Sequence, residues 1–212
     1  MKKLFILTLL FSVNLISSAQ FTSITPKVGL TVSKARGFDQ IHYKPGYLFG
    51  ASATYLLNSK ISLKPELLIE QKGSQGEIQF TDENGWSLGV ADWYSTWNFL
   101  TLPLQIQYNP FERNGIYFTA GGYIGYLLWA SDRINSENAG GTNQKEKIDI
   151  SGYNKWDAGL SAGAGIGIPF NEKSGIDVAL KYEYAFLTDK GRMPPATHTF
   201  SLSVGYIIKF AK

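Results

Sequence analysis

The chain has 212 residues, a formal charge of +3 and no cysteine, with 22 Gly, 12 Tyr, 13 Phe and 5 Trp against only 17% charged residues. So much glycine and aromatic surface with so little charge excludes a disordered chain, and argues against coiled coils and helical repeats, which are built from Ala, Glu, Lys and Leu. The missing cysteine excludes disulfides, thiolate zinc sites and cysteine nucleophiles, and the near-neutral balance predicts no nucleic-acid partner.

The first residues read as an address. Lys2 and Lys3 form a positive start, Leu4 to Val13 is an apolar run, and Ser17-Ser18-Ala19 supplies small residues for cleavage. The run is too short to span a bilayer as a helix. Residues 1–19 are therefore expected to be a secretory signal peptide, with 20–212 a single domain exported to a bacterial envelope.

From there the chain alternates with period two, the signature of β-strand. The first run (about 26–34) and the second (about 46–57) are the weaker ones. The third sets Ile61, Leu63, Leu67 and Ile69 against Ser62, Lys64, Glu66 and Glu70. The fourth sets Leu100, Leu102, Leu104, Ile106 and Tyr108 against Thr101, Gln105 and Gln107, and a fifth follows over about 115–129. The sixth sets Leu160, Ala162, Ala164, Ile166 and Ile168 against Asp157, Gly159, Ser161, Gly163, Gly165 and Gly167. The seventh sets Ile176, Val178, Leu180, Tyr182, Tyr184 and Phe186 against Asp177, Ala179, Lys181, Glu183 and Ala185. The eighth sets Phe200, Leu202, Val204, Tyr206, Ile208 and Phe210 against Thr199, Ser201, Ser203, Gly205 and Lys209.

Short connections (Asn58-Ser59, Asn109 to Asn114, Asn171 to Lys173) alternate with long ones at about 35–45, 73–96, 130–151 and 189–196. An up-and-down transmembrane barrel has this rhythm, with short periplasmic turns and longer extracellular loops. The fold expected is all-β: an eight-stranded antiparallel barrel, apolar outside and polar inside, its lumen filled by side chains. Eight strands leave little room for an aqueous channel. A soluble barrel would put the apolar face inward, but the polar faces here are mostly Gly, Ser, Thr and Gln, which suit a narrow lumen better than a wetted surface. Aromatic residues also gather at the strand ends, as headgroup girdles require. Trp97, Trp129, Trp156, Tyr184 and Phe186 lie toward the loops, and Tyr55, Tyr108, Tyr117, Tyr206 and Phe210 toward the turns.

Three segments carry a family resemblance. Ser62-Leu63-Lys64-Pro65-Glu66-Leu67-Leu68-Ile69-Glu70-Gln71-Lys72-Gly73, Asn98-Phe99-Leu100-Thr101-Leu102-Pro103-Leu104, and Gly115 through Leu128 resemble the third, fourth and fifth strands of the PorT-like outer-membrane β-barrel family of Bacteroidota. The resemblance implies an eight-stranded outer-membrane barrel. It fixes no biochemical role, since such proteins range from secretion-system components to uncharacterised ones.

Candidate chemistry is sparse. His42 falls in the first long loop and reads as a solvated residue. His198 opens the eighth run on the parity of Phe200, whereas Ser201 takes the opposite face, so a His–Ser pair for lipid hydrolysis is poorly placed. Asp82-Glu83-Asn84-Gly85 with Asp92 could ligate calcium, but the spacing is not that of an EF-hand and a turn explains it. No cofactor and no metal site is therefore expected. Gly163-x-Gly165-x-Gly167 sits in a strand with no following helix and is not a nucleotide loop. Lys145-Glu146-Lys147 reads as a solvated loop face. Trp86, Trp93, Tyr94 and Trp97 mark either an extended hairpin packing its own rings or an extracellular interaction surface, since aromatics dominate binding hot spots.

The third and seventh runs lie opposite each other in an eight-stranded ring. Counted from the short turns, Lys64 and Asp177 lie low, Glu66 and Lys181 near mid-height, and Glu70, Lys72 and Glu183 higher. Charges inside a membrane protein are expensive unless paired. A cross-lumen network is therefore expected among Lys64, Glu66, Glu70, Asp177, Lys181 and Glu183, with Gln105 and Gln107 as neighbours. The function expected is a non-enzymatic outer-membrane protein with a structural or partner-binding role. Its partners would be outer-membrane lipids and an envelope or secretion-system protein. The alternatives are a lipid-modifying enzyme centred on His198 and a narrow solute channel.

Overall fold

The structure is a computed structural model that describes residues 20–37, 41–81, 83–84, 86–111, 115–135, 144–149, 152, 155–186 and 194–210. The stretch read as a signal peptide lies outside them. The described residues form nine strands and no helix: β1 (Gln20–Ala35), β2 (Ile41–Leu56), β3 (Ile61–Thr81), β4 (Ser87–Tyr108), β5 (Ile116–Asn135), β6 (Gln144–Ile148), β7 (Trp156–Pro169), β8 (Ser174–Ala185) and β9 (Thr197–Lys209). Eight of them close a ring in the order β1, β2, β3, β4, β5, β7, β8, β9, every pair antiparallel. β1 and β9 seal the ring, in register from Ser23↔Lys209 to Ala35↔Thr197. β6 pairs with β5 alone and stands outside the ring.

The ring turns its apolar positions outward. Val28 and Leu30 of β1 are 63% and 67% exposed, while Lys27 and Thr31, one residue away, are buried. The same split separates Leu202 from Ser201 and Ser203, and Leu180 from Lys181. Such a molecule can be stable only where the solvent is apolar, so the outer wall is a lipid-facing surface.

Two kinds of local chemistry shape the barrel. At the short turns, Asn58 Oδ1 accepts the N–H groups of Lys60 and Ile61, both at 2.9 Å, and Asn171 Oδ1 accepts those of Lys173 and Ser174, both at 2.8 Å. An asparagine side chain that stands in for a backbone acceptor closes a tight turn. Gly115, at φ +65°, opens β5 in a conformation a side chain resists. Inside, inward glycines of β7 face inward tyrosines of β5, Gly165 opposite Tyr117 and Gly159 opposite Tyr123. A Cβ on Gly159 would stand 2.7 Å from the Tyr123 ring, and one on Gly165 would collide with the Tyr117 phenol. The glycine alternation thus makes room for rings that enter the lumen.

Three sequence expectations need correction. The stretch 73–96 is mostly ladder: β3 and β4 stay paired as far as Thr81↔Ser87. The stretch 130–151 likewise contains the end of β5 and the whole of β6, paired from Ala130↔Ile148 to Ile134↔Gln144. Finally, Tyr117 and Trp97 belong to no girdle, because both point into the lumen and are buried.

Candidate functional site

The lumen holds four buried lysines, Lys27, Lys64, Lys72 and Lys181, and five buried carboxylates, Glu66, Glu70, Asp157, Asp177 and Glu183. They come from β1, β3, β7 and β8, inward positions on strands whose other face is apolar. Burying an ion is costly, so each must find a counter-charge.

Lys181 is the pivot. Its Nζ lies 2.8 Å from Glu183, 3.1 Å from Glu70 and 3.6 Å from Glu66. Since β3 and β8 are four strands apart, the pairs with Glu70 and Glu66 cross the barrel. Glu66 is also held by Lys27 at 2.6 Å. Above Lys181, Lys72 pairs with Glu183 at 3.1 Å and with Asp157 at 3.0 Å. It also sits over the rings of Tyr123 (4.4 Å) and Phe99 (5.6 Å). The Tyr123 hydroxyl donates to Asp157 at 3.3 Å. Below, Lys64 lies 3.5 Å from Asp177. The Tyr117 hydroxyl donates to Asp177 at 2.6 Å and accepts from Lys64 at 3.2 Å. Of the residues named from the sequence, Lys64, Glu66, Glu70, Asp177, Lys181 and Glu183 meet counter-charges here. Gln105 and Gln107 bond elsewhere, to Ser161 and Asn109, each at 2.9 Å.

The sequence reading missed Lys27, Asp157, Tyr117 and Tyr123. Lys27 shares the parity of Thr31 and Ser33, so a sharper reading of the first strand would have found it. Asp157 stood on the polar face of its run without a partner in view.

Above the network the lumen changes character. Trp97, Phe99, Leu127, Ala35 and Ala130 form a buried apolar cap, with Ile41 and Ile148 packed against it. Trp97 is 1% exposed. It is part of this cap and not of an extracellular surface, which corrects its assignment. At mid-lumen a void of about 20 Å³ borders Lys27, Glu66 and Lys181, room for about one water. The periplasmic mouth is a wider vestibule of about 300 Å³, floored by Lys64, Tyr117 and Asp177.

On the extracellular side, β3, β4, β5 and β6 continue past the barrel as a four-stranded sheet. The four aromatics expected to act together are spread over it. Trp86 is 74% exposed beside the β3–β4 turn. Trp93 lies opposite Gly76 and Ile134, and Tyr94 opposite Gln75 and Arg133. As neighbours along β4 they face opposite sides of the sheet. Asp92 lies opposite Glu77, while Asp82 and Gly85 lie outside the described residues. No metal-holding group of three such side chains occurs among the described residues. His42 is exposed on β2, opposite Gln75. At His198, Nδ1 lies 2.6 Å from the Tyr182 hydroxyl, and Ser201 is buried on the lumen side.

Residues 8–188 match the family described as outer membrane protein beta-barrel domain. No protein of curated function matches the chain. Among solved structures, the chain is similar to Ail of Yersinia pestis, at 16% identity and TM-score 0.43, over 90% of this chain and 98% of that one. It is similar to Neisserial surface protein A at 12% identity and TM-score 0.45, over 89% and 97%. It is also similar to the outer membrane protease OmpT of Escherichia coli at 9% identity and TM-score 0.38, over 90% and 95%.

Proposed function

The chain belongs to the outer membrane protein beta-barrel domain family, and from that premise we propose that this integral outer-membrane barrel is a sealed, non-enzymatic scaffold. It presents its extracellular sheet to a protein partner of the envelope or secretion machinery. Residues 1–19 are its signal peptide, removed on export, and 20–212 its single domain. The segments 62–73 and 98–104 support a PorT-like member of the family.

The observation that carries this reading is the contrast between the two ends of β3 and β4. Within the bilayer their inward charged side chains meet counter-charges from the facing strands, and the mid-lumen void is about 20 Å³, room for about one water. Beyond it the same strands rise as a sheet, in register from Ser74↔Ser95 to Phe80↔Gly89. Gly76 is level with Ile41 at the extracellular end of β2. The five residues of β3 beyond it add about 17 Å of strand at about 3.3 Å each. A structure of that reach is more than a turn needs.

The test is to shorten the hairpin by joining Gly76 to Trp93 through Asn-Gly, which suits a two-residue turn. The barrel should still insert and keep its heat-modifiable migration, while partners that co-purify with the intact protein are lost. A shortened protein that keeps every partner and complements a deletion strain fully would overturn the reading.

A further inference from the structure

We propose that Lys34, Arg36 and His198, with Tyr182 and Tyr184, form a site on the outer wall for the phosphate of a phosphorylated lipid in the outer leaflet. Register places these residues side by side. Lys34 pairs with His198, and His198 pairs with Tyr184, so one outward row crosses β1, β9 and β8. Arg36 lies over the Tyr184 ring at 4.2 Å and donates to the Ala185 carbonyl at 2.7 Å. That bond uses one of five guanidinium donors. The ring below fixes the plane of the guanidinium, so the remaining donors are held in a fork suited to phosphate. Tyr182 lies 2.6 Å from His198 Nδ1, which fixes the imidazole on the wall. The charges of Lys34 and Arg36 both reach the His198 ring. Among the described residues, no carboxylate belongs to this row.

Height decides what the row can meet. Phe200 and Phe210 are both outward residues of the β9 segment, ten apart. At about 3.3 Å per residue and a tilt of about 40°, they are separated by about 25 Å, the height of the apolar band of such barrels. Phe210 stacks on Phe21 at 4.9 Å, and Phe21 lies 5.2 Å from Tyr55, which gives the periplasmic end of this wall an aromatic edge. His198 is two residues beyond Phe200, at the outer headgroups. Below it Leu30, Leu202 and Leu180 are exposed to acyl chains. A ligand here must have an anionic head at the level of Lys34 and Arg36 and hydrocarbon tails along those leucines. A phosphorylated lipid of the outer leaflet has both.

The experiment is a native mass spectrometry titration of the full protein in detergent. The probes are bis-phosphorylated lipid A and the same lipid A after enzymatic dephosphorylation. The intact protein should hold the phosphorylated form at least ten-fold more tightly. Lys34→Gln, which leaves the Arg36–Ala185 bond in place, should cut that preference at least three-fold, and Lys34→Gln/Arg36→Gln should abolish it. Heat-modifiable migration reports folding; if the double variant fails to fold, Lys34→Glu decides by the same readout. Millimolar inorganic phosphate should not displace the lipid. Equal binding of the two lipids, an unchanged preference in folded Lys34→Gln, or displacement by phosphate alone would each overturn the assignment.

Discussion

Lys181 carries more than its share of the lumen's electrostatics, because three carboxylates converge on one ammonium. Removing it leaves Glu70 and Glu183 buried with less compensation, whereas removing Glu66 leaves Lys27 and Lys181, of which Lys181 keeps two other partners. Lys181→Ala should therefore cost about 3–5 kcal/mol, the cost of breaking a buried ion pair from one side, and Glu66→Ala a comparable amount, because it strands Lys27. The Glu66→Ala/Lys181→Ala double variant should lose less than the sum of the single losses, because the two residues share a contact. Urea unfolding in detergent measures all three; strictly additive losses would mean that the two residues are not coupled. At this scale much of the site was legible. Parity alone placed Lys64, Glu66, Glu70, Asp177, Lys181 and Glu183 on inward faces, and opposite charge on opposite strands gave them partners. Trp97 and Tyr117 were misplaced because their residue type was weighed above their parity. Trp97 shares the parity of Thr101 and Tyr117 that of Thr119, both inward positions, so a ring near a strand end was read as girdle when it was filling the lumen.

Among the elements, the membrane-spanning parts of the strands were legible and the extracellular parts were not, for one physical reason. In the bilayer one face meets lipid and the other the lumen, and that contrast imposes strict alternation. Above the bilayer both faces of the β3–β6 sheet meet water or one another. The pattern fades, and Gln144 to Ile148 reads as a charged loop although its backbone pairs with β5. Facing within the bilayer can be tested directly. Leu202 is 52% exposed and Ser203 is buried. A charge at mid-bilayer costs about 2–4 kcal/mol, so Leu202→Arg should impair refolding while Ser203→Asn is tolerated. Equal damage from both would contradict the orientation of β9. Protease added to intact cells should cut at 82–86 or between β5 and β6, and leave the 109–115 connection intact. The β3–β4 ladder has a weak point of its own. Pro65 and Pro103 supply no N–H donor, and the β3–β4 pairing skips from Pro65↔Leu104 to Leu68↔Thr101. Within the membrane band, hydrogen exchange should be fastest for the amides flanking this gap, Glu66 to Leu68 with Leu102 and Leu104. Uniform protection along both strands would show the ladder to be intact.

For the molecule as a whole, the charged lumen poses a question of purpose. Five carboxylates face four lysines, an arrangement that packs the interior but spends free energy on desolvation. Buried ion pairs seldom stabilise more than apolar residues of the same volume; their best-attested use is to specify one arrangement among several. A barrel is exposed to that problem, since a slip of one residue between neighbouring strands turns every side chain to the other face. Lys181 meeting Glu66 and Glu70 across the lumen fixes the height of β8 against β3, and Lys72 meeting Asp157 fixes β3 against β7. Pairs that cross the barrel constrain register in a way that adjacent-strand contacts cannot. The test is to replace Glu70, Lys72, Asp157, Lys181 and Glu183 together by Leu or Met of similar volume. This leaves Lys27 with Glu66 and Lys64 with Asp177, two balanced pairs. The variant should match the native protein in stability or exceed it by about 1–4 kcal/mol. It should nonetheless refold into more than one species, seen as multiple folded bands on unheated gels and doubled amide resonances. The native protein should give one species and no conductance steps in planar bilayers. A variant that refolds to a single species would remove register as the reason for the network. A variant that loses several kcal/mol would show that the network serves stability instead.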